Sequence, residues 1–284
     1  MILLPRLNPI RLVQENHRYQ KYFSESIPGH EEPACYAQPF NRYDEIRFQV
    51  HIGNNEHLSF DATIESLQGK SVLSIEYVAL PNSIYNTYEF SSPLSKLSPG
   101  LYLIHLTASE GPGRPIQHFY SEPLKIENIH PNTIQILYTH DQNDYDILFH
   151  PSYGSQRRFM IRVEGGFASD GFTPAASDTV YRNQEFDTVL LSSKPYHTKK
   201  LTIGSGKGVP NWMADKINRV LSCSNVWLDG VRTTKSDGAK MEAVREKGVA
   251  TAGWVIELID ADSSYSDVYG GGDYNIDYNQ DYLL

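Results

Sequence analysis

Residues 46–64 read IRFQVHIGNNEHLSFDATI, and this stretch decides the fold class. Apolar residues alternate with polar ones on both sides of a turn-rich centre that begins at Gly53, as in strands that bury one face. Two alternating runs joined by a five-residue loop predict a β-hairpin with strands over 46–52 and 58–64. We therefore expect a domain that is built from β-strands.

Three more strand-like runs follow, at 72–78, 101–107 and 117–126, and turns rich in proline and glycine separate them. Short strands at this spacing are typical of immunoglobulin-like or fibronectin-like β-sandwiches. The run 101–106 is apolar on both faces, which predicts a central strand. We predict a β-sandwich domain over residues 43–127.

A second domain, strand-rich α+β, is predicted over residues 128–261. Its strand candidates lie at 133–138, 147–149, 159–163, 188–191, 201–203 and 254–259. The dipeptide Asp-Gly at 229–230 predicts a further hairpin with a type I′ turn. Apolar residues at helical spacing predict a helix over 212–221 with Asn211 as its N-cap, and a short helix is expected over 239–246. The predicted fold class is therefore mainly β.

The N-terminal segment, residues 1–42, is expected to be an extended arm, because its five prolines remove backbone donors and prevent a continuous helix. Near its start four basic side chains stand against Glu15 alone, a balance of +3. Arg6, Arg11 and Arg18 are therefore candidate residues for contact with another chain.

The C-terminal segment, residues 262–284, carries the opposite charge. It contains five aspartates and no lysine or arginine, a balance of −5. Its tyrosines recur every four or five residues, at Tyr265, Tyr269, Tyr274, Tyr278 and Tyr282. Such a segment cannot bury enough surface to fold alone, so it is expected either to be a disordered tail or to dock on a neighbouring chain. A basic arm and an acidic tail on one molecule suggest head-to-tail contacts that close into a ring.

The composition excludes several classes of protein. The net charge of −9 opposes a phosphate backbone, so nucleic acid is not expected as a specific partner. No apolar run approaches the roughly 20 residues of a membrane helix, so no membrane partner is expected. Cys35 and Cys223 are the only cysteines, which excludes a disulfide framework and leaves two alternatives, buried thiols or a single bridge between them.

No complete catalytic or metal-binding motif occurs in the sequence. The glycine-rich run 204–208 lacks a hydroxyl residue after Lys207, so it does not meet the requirements of a P-loop. His130, His140 and His150 lie ten residues apart among aspartates and are the best candidate metal ligands, but histidines in loops beside strands are common. We predict no metal, no cofactor and no catalytic residue. A hydrolase with dispersed catalytic residues is a third hypothesis without a positive feature.

Four stretches carry a resemblance to a known group of proteins. They are FYSEPLKI at 119–126, FMIRVEGG at 159–166, GVPNWMADKIN at 208–218 and VWLDG at 226–230. Over residues 100–260 the chain resembles tail proteins of phages that infect Bacteroidetes, the tail-ring or collar proteins of crAss-like podoviruses in particular. The resemblance implies a non-enzymatic, homo-oligomeric virion protein, made in the host cytoplasm, whose partners are its own copies and other tail proteins.

Ordinary local structure also explains these stretches, since Glu122-Pro123 ends a strand and Gly165-Gly166 makes a turn. The main alternative function is a carbohydrate-binding or adhesion module, because the aromatic content of 12% could supply stacking platforms on a sandwich face. Most of these aromatics alternate as core residues do, so the structural phage tail protein is the leading hypothesis.

Overall fold

Strands dominate the chain, and the prediction of a mainly β fold is confirmed. The computed structural model describes residues 2–15, 36–53, 56, 58–67, 70–80, 85–111, 115–143, 146–151, 155–167, 172–184, 186–204, 208–244 and 251–261. In chain order the strands are β1 (Ile2–Leu3), β2 (Leu12–Gln14), β3 (Gln38–Asn41), β4 (Glu45–Gly53), β5 (Ser59–Ser66), β6 (Ser71–Ser74), β7 (Glu76–Leu80), β8 (Tyr85–Pro93), β9 (Gly100–Ser109), β10 (Gln117–Ser121), β11 (Leu124–Glu127), β12 (Thr133–Thr139), β13 (Phe159–Phe167), β14 (Thr173–Arg182), β15 (Thr188–Ile203), β16 (Asn225–Leu228), β17 (Val231–Lys235), β18 (Glu242–Val244) and β19 (Gly253–Asp260). Helix α1 spans Asn211–Val220 and a 3₁₀ turn spans Leu94–Lys96.

Strands β1–β11 form the first unit, in which two sheets pack on one core. One sheet has the order β1-β4-β8-β7. In the other sheet, β9 pairs with β5 along one edge and with both β10 and β11 along the other, which confirms its predicted central position. Between the sheets the ring of Phe48 stacks on Phe90 at 4.9 Å, and Phe60 meets Phe90 edge-on.

The hairpin predicted for residues 46–64 is wrong. β4 pairs with β1 and β8, whereas β5 pairs with β6 and β9, so the two strands lie in different sheets. Their apolar sides still meet in the shared core, where Ile46 and Ile64 are buried. The alternation of apolar and polar residues is the same for two strands that face each other across a core and for two that lie side by side in one sheet. The pattern therefore could not distinguish these two arrangements.

Strands β12–β19 form the second unit, an antiparallel sheet with the order β14-β15-β13-β12-β16-β17-β19-β18. Because β15 also pairs with β19, the strands from β15 round to β19 close on themselves around a second core. Tyr138 and Phe159 lie in this core, and α1 packs Met213 and Ile217 against them. The predicted strand-rich α+β unit therefore has a curled sheet with a helix on its core.

Local predictions for this unit have mixed outcomes. The hairpin β16–β17 is confirmed, since Asp229 and Gly230 have φ angles of 47° and 87°, as a type I′ turn requires. The helix is confirmed, but it begins one residue earlier than predicted. Asn211 is therefore its first residue, and Pro210 stands at the cap with no side-chain hydrogen bond.

Two further predictions in this unit are wrong because strand pairing overrides local sequence preference. The expected short helix over 239–246 is replaced over Glu242–Val244 by β18, which pairs with the start of β19. Gly165 and Gly166 do not form a turn but lie inside β13. At Gly165 the φ angle is 152°, and a Cβ atom there would lie 2.3 Å from the carbonyl oxygen of Thr202, so the close approach of β15 needs glycine.

Buried polar contacts join the two units at the outer side of β4. The side chain of Gln49 donates to the carbonyl oxygen of Leu148 at 3.0 Å and accepts from its N–H at 2.8 Å. Asn8 forms a similar two-way pair with the backbone of Gln49. The run 147–149, predicted as a strand, is instead a buried loop, in which side chains take up backbone groups: Gln49 bonds Leu148, and Asn143 accepts from the N–H of Phe149.

The N-terminal segment belongs to both units. In its described parts, β1 pairs with β4, β2 pairs with β10, and β3 runs parallel to β11. Leu7 lies in the core of the second unit and Ile10 in the core of the first. The predicted arm over residues 1–42 is thus bound to the body in the parts described, and residue 42 is not a packing boundary.

A buried ion pair also crosses the joint. Arg162 on β13 donates from Nε and Nη2 to the two carboxylate oxygens of Asp44, at 2.7 and 3.0 Å, and both residues are more than nine-tenths buried. The backbone N–H of Asn41 donates to the same carboxylate. A two-pronged arginine–carboxylate pair fixes orientation as well as distance, so it holds the two units in one geometry.

Of the two cysteines, the structure describes only Cys223. Cys223 is a buried free thiol, and burial raises its pKa to about 12. Cys35 lies outside the described residues. The Cys223 thiol is therefore protonated and poorly reactive at neutral pH.

Candidate protein–protein interface

A long hairpin, here called the hairpin arm, projects from the second unit. It consists of β14 and the paired part of β15, residues 188–198. The side chains along Thr173–Arg182 are exposed almost throughout. Ten residues of β-strand extend about 33 Å, so the arm reaches well beyond the body.

The far end of the arm, here called the apolar tip, is the largest concentration of exposed apolar side chains among the described residues. Its members are between 51% and 78% exposed. They are Val180, Tyr181, Phe186, Val189, Leu190 and Leu191. Large exposed apolar groups that lie together mark interaction surfaces in soluble proteins.

Apolar side chains occupy both faces of the tip. Val180 pairs with Leu190, and Tyr181 pairs with Val189. Directly opposed residues point to the same side of a hairpin and successive residues point to opposite sides, so one pair lies on each face. The pairing shifts register between Thr179 and Val180, where the irregularity interrupts the ladder. A partner must therefore cover both faces of the tip to remove it from water.

At the end of the tip, Asn183 and Asp187 are bonded to each other. Asn183 accepts from the N–H of Asp187 through its side-chain oxygen at 2.8 Å, and the backbone N–H of Asn183 donates to the carbonyl of Asp187 at 3.0 Å. Phe186 between them has a φ of 70° and is 78% exposed. A positive φ is costly for a bulky residue, so this turn presents an aromatic ring to solvent at the expense of backbone strain.

The part of the arm next to the tip is polar, and we call this part the stem. Ser177, Asp178 and Thr179 on β14 lie opposite Lys194, Ser193 and Ser192 on β15. Among the described strands, β14 has no partner except β15, so its outer edge is open. An isolated two-stranded hairpin is only marginally stable in water. A polar stem that carries a two-faced apolar tip is the arrangement expected of a segment that another protein surface completes.

The structure places two of the sequence-predicted contact residues in a cleft beside α1. Arg6 is exposed there, and the guanidinium of Arg11 lies 4.6 Å from the ring centroid of Trp212. Arg11 also forms an ion pair with Glu122 at 3.4 Å. Arg18 and the five tyrosines of residues 262–284 lie outside the described residues.

Lys216 lines the same cleft and is buried, and no carboxylate among the described residues is bonded to its ammonium. Its ammonium donates to the carbonyl oxygens of Asn8 at 2.6 Å and Pro9 at 3.3 Å. Burial lowers the pKa of Lys216 to about 7, and the charge of Arg11 acts in the same direction, whereas Glu122 and Asp146 oppose it. The folded chain therefore releases this proton at a lower pH than the unfolded chain does.

Stability should consequently rise as the pH increases above 7. Between that value and the ordinary lysine pKa, the unfolded chain keeps a proton that the folded chain has lost, which contributes a slope of up to about 1.4 kcal/mol per pH unit. Urea unfolding of the wild type and of Lys216→Met at pH 6.5, 8 and 9.5 measures it. We expect the wild type to gain stability relative to the variant across this series; a constant difference would contradict the lowered pKa.

The histidines singled out in the sequence do not converge. Nδ1 of His140 is engaged with Ser224, His150 Nε2 contacts the carbonyl oxygen of His140 at 2.8 Å, and His130 Nε2 contacts that of Lys125 at 2.9 Å. Within the described ranges, no group of three or more His, Cys, Asp or Glu side chains could hold a metal ion. These histidines are bonded to their own chain.

No protein-family model, no curated protein and no solved structure matches this chain. In the described part of the chain, no helix is long and apolar enough to cross a membrane. The hairpin arm and the cleft are therefore the features that bear on function.

Sequence reasoning missed most of the hairpin arm. It predicted a strand over 188–191 but not its partner β14, whose Ser, Thr and Ala residues give little apolar periodicity. The signal that was present is the run Val189-Leu-Leu191, which follows the turn-forming pair Asn183 and Asp187. An apolar run of this kind normally indicates a covered strand, and nothing in the sequence says that its own fold leaves it uncovered.

Proposed function

We propose that this chain is a structural subunit that assembles with copies of itself into a ring or collar of a phage tail. The observation that supports this most directly is the apolar tip of the hairpin arm, which is exposed on both faces. A partner that buries these side chains removes a large apolar surface from water, at about 25 cal/mol for each Å².

The geometry of the arm favours a contact between different surfaces of successive copies. A projecting arm on one side of a subunit has to meet a different surface on its neighbour. Head-to-tail contacts of this kind close into rings when the rotation between subunits allows it. The length of the arm sets the reach, since it carries the tip away from the body.

A rigid body suits the same role. Gln49 and the Asp44–Arg162 pair lock the joint between the two units, so that a load on one is transmitted to the other. The assignment to a phage tail, the virion location and the further partners among tail proteins rest on the resemblance over residues 100–260. The immunoglobulin-like or fibronectin-like character of the first unit is part of the same proposal.

The carbohydrate-binding alternative is less well supported. On the outer face of the β9–β10 sheet, the ring of Tyr120 is stacked under His105, with ring centroids 4.4 Å apart and planes at 9°. One face of the Tyr120 ring is therefore already occupied by His105. Two of the most exposed aromatics, Tyr181 and Phe186, sit at the end of a hairpin rather than on a sheet face.

The oligomeric state of the purified full-length chain tests the proposal. We expect mass photometry to find one defined multiple of the 32.2 kDa chain mass, and negative-stain electron microscopy to show closed rings. A chain that remains monomeric at concentrations of tens of micromolar, also with the other tail components added, would contradict it. Retention of such a monomer on a glycan array would favour the alternative instead.

A further inference from the structure

The cleft beside α1 combines positive charge with an aromatic ring. It has a volume of about 230 Å³ and lies between α1 and the N-terminal segment. The side chains that give it its character are Arg6, Arg11, Trp212, Asp215, Lys216 and Arg219. Four of these six are basic and one is acidic, a balance of +3 when Lys216 is protonated. This local excess stands out on a chain whose net charge is −9.

The cleft is held in shape by its own contacts. Arg11 lies over the ring of Trp212 and is anchored by Glu122, while the ring of Tyr36 meets Trp212 edge-on at 5.8 Å. The ammonium of Lys216 lies 5.6 Å from the same indole ring. The indole is only partly buried, so it can still receive an aromatic neighbour. Side chains that are already held by such contacts lose little conformational entropy when a ligand binds.

We infer that this cleft binds the segment 262–284 of a neighbouring copy. The segment supplies what the cleft lacks, because it has five aspartates, five tyrosines and no basic residue. An aspartate can pair with Arg6, or with the remaining N–H groups of Arg219, whose Nε already donates to Asp215 at 2.8 Å. A tyrosine one or a few residues away can stack on the indole or on a guanidinium plane. The repeat of a tyrosine every four or five residues offers several registers in which both contacts form together.

The segment that enters the cleft comes from the neighbouring copy rather than from the same one, and this inference rests on the proposed assembly. The hairpin arm projects from the second unit, and α1, which forms one wall of the cleft, packs on the core of the same unit. A second contact between successive copies then adds to the same interface, and linked contacts strengthen one another through effective concentration.

Photo-crosslinking in the full-length chain tests the inference. Isotope-labelled copies carry a benzoylphenylalanine in place of Tyr274 and are assembled with an equal amount of unlabelled wild-type chain. After irradiation, mass spectrometry identifies the captured peptide and its isotope content. We expect unlabelled peptides that contain Arg6, Arg11 or Trp212 to be captured. Capture of labelled peptides alone would show binding within one copy and overturn the inference, as would capture at any other surface.

A charge-reversal variant checks that the cleft itself makes the contact. Arg6→Glu with Arg219→Glu on the unlabelled copies should lower the yield at the cleft by about tenfold or more, because attraction becomes repulsion. The matched control is Lys96→Glu with Lys240→Glu, two exposed lysines outside the cleft, which should leave the yield within about twofold. An equal loss of crosslinking yield in both variants would mean that the yield depends on the net charge of the chain and not on the cleft. That result would overturn the inference.

Mass photometry of the same samples separates the two proposals. Defined oligomers that capture no cleft peptide would refute the cleft inference and leave the proposed assembly standing. Monomers would refute the assembly, and the contact between copies with it.

Discussion

Replacement of Val180 and Leu190 by aspartate should turn the assembled protein into monomers. The two side chains are 57% exposed in the isolated subunit and oppose each other on one face of the tip. Their burial at an interface contributes on the order of 3 kcal/mol, which the substitutions remove, and two buried charges add a further penalty. Association should therefore weaken by about a hundredfold or more, measured by mass photometry over a dilution series.

A matched variant separates the apolar tip from the mere presence of charge. Thr179→Asp with Ser192→Asp places the same two carboxylates on a cross-strand pair of the polar stem, next to the tip. Like charges opposite each other strain both hairpins equally, so only the loss of apolar contact differs between the variants. We expect the stem variant to assemble nearly as the wild type does. If it dissociates as fully as the tip variant, the apolar tip is not the contact.

The thermal stability of the monomer gives an independent check. The tip contributes no buried side chain to either core, so its substitution should leave unfolding of the body unchanged. A large fall in the unfolding temperature of the tip variant would mean that the exposed residues support the fold, and loss of assembly would then have a different cause.

Asp44→Ala should have the largest effect on folding stability. It leaves the guanidinium of Arg162 buried without its carboxylate, and removal of one partner of a buried pair costs about 3–5 kcal/mol. The backbone N–H of Asn41 loses its acceptor at the same time. Because whole domains are stable by only about 5–15 kcal/mol, urea unfolding should show most of the margin gone.

Two comparisons identify the buried charge as the cause. The double change Asp44→Asn with Arg162→Gln removes both charges and should recover part of the loss, which a double-mutant cycle measures. Asp260→Ala breaks the partly exposed pair with Lys199, at 2.6 Å, and should cost no more than about 1 kcal/mol. Equal losses from Asp44→Ala and Asp260→Ala would show that the Asp44–Arg162 pair does not hold the joint.

Strand positions were largely predictable, whereas strand partners were not. Runs such as 133–138 and 254–259 were recognised from alternating or continuous apolar residues, and both are strands. Their neighbours in the sheet, and the closure of β15 on β19, depend on contacts between residues far apart in the chain. Periodicity reports which side of a strand is apolar, and any partner that covers this side satisfies it equally.

The two candidate sites were also predictable only in part. The charges of Arg6 and Arg11 were visible in the sequence, and the structure places both beside Trp212. The cleft needs α1 and the N-terminal segment together, and about two hundred residues separate them. The hairpin arm was harder to predict from the sequence, since the exposure of Leu190 is a property of the folded surface and not of its local sequence.

By itself, the sequence determined that the chain is mainly β, that its ends carry opposite charge and that no complete catalytic motif is present, because composition and spacing are local properties of the chain. Only the tertiary structure decided that residues 46–64 serve two sheets, that the N-terminal segment is shared by both units and that an apolar hairpin stands uncovered. The physical reason is that burial depends on every other segment that packs against a residue, and this competition is resolved only when the whole chain has folded.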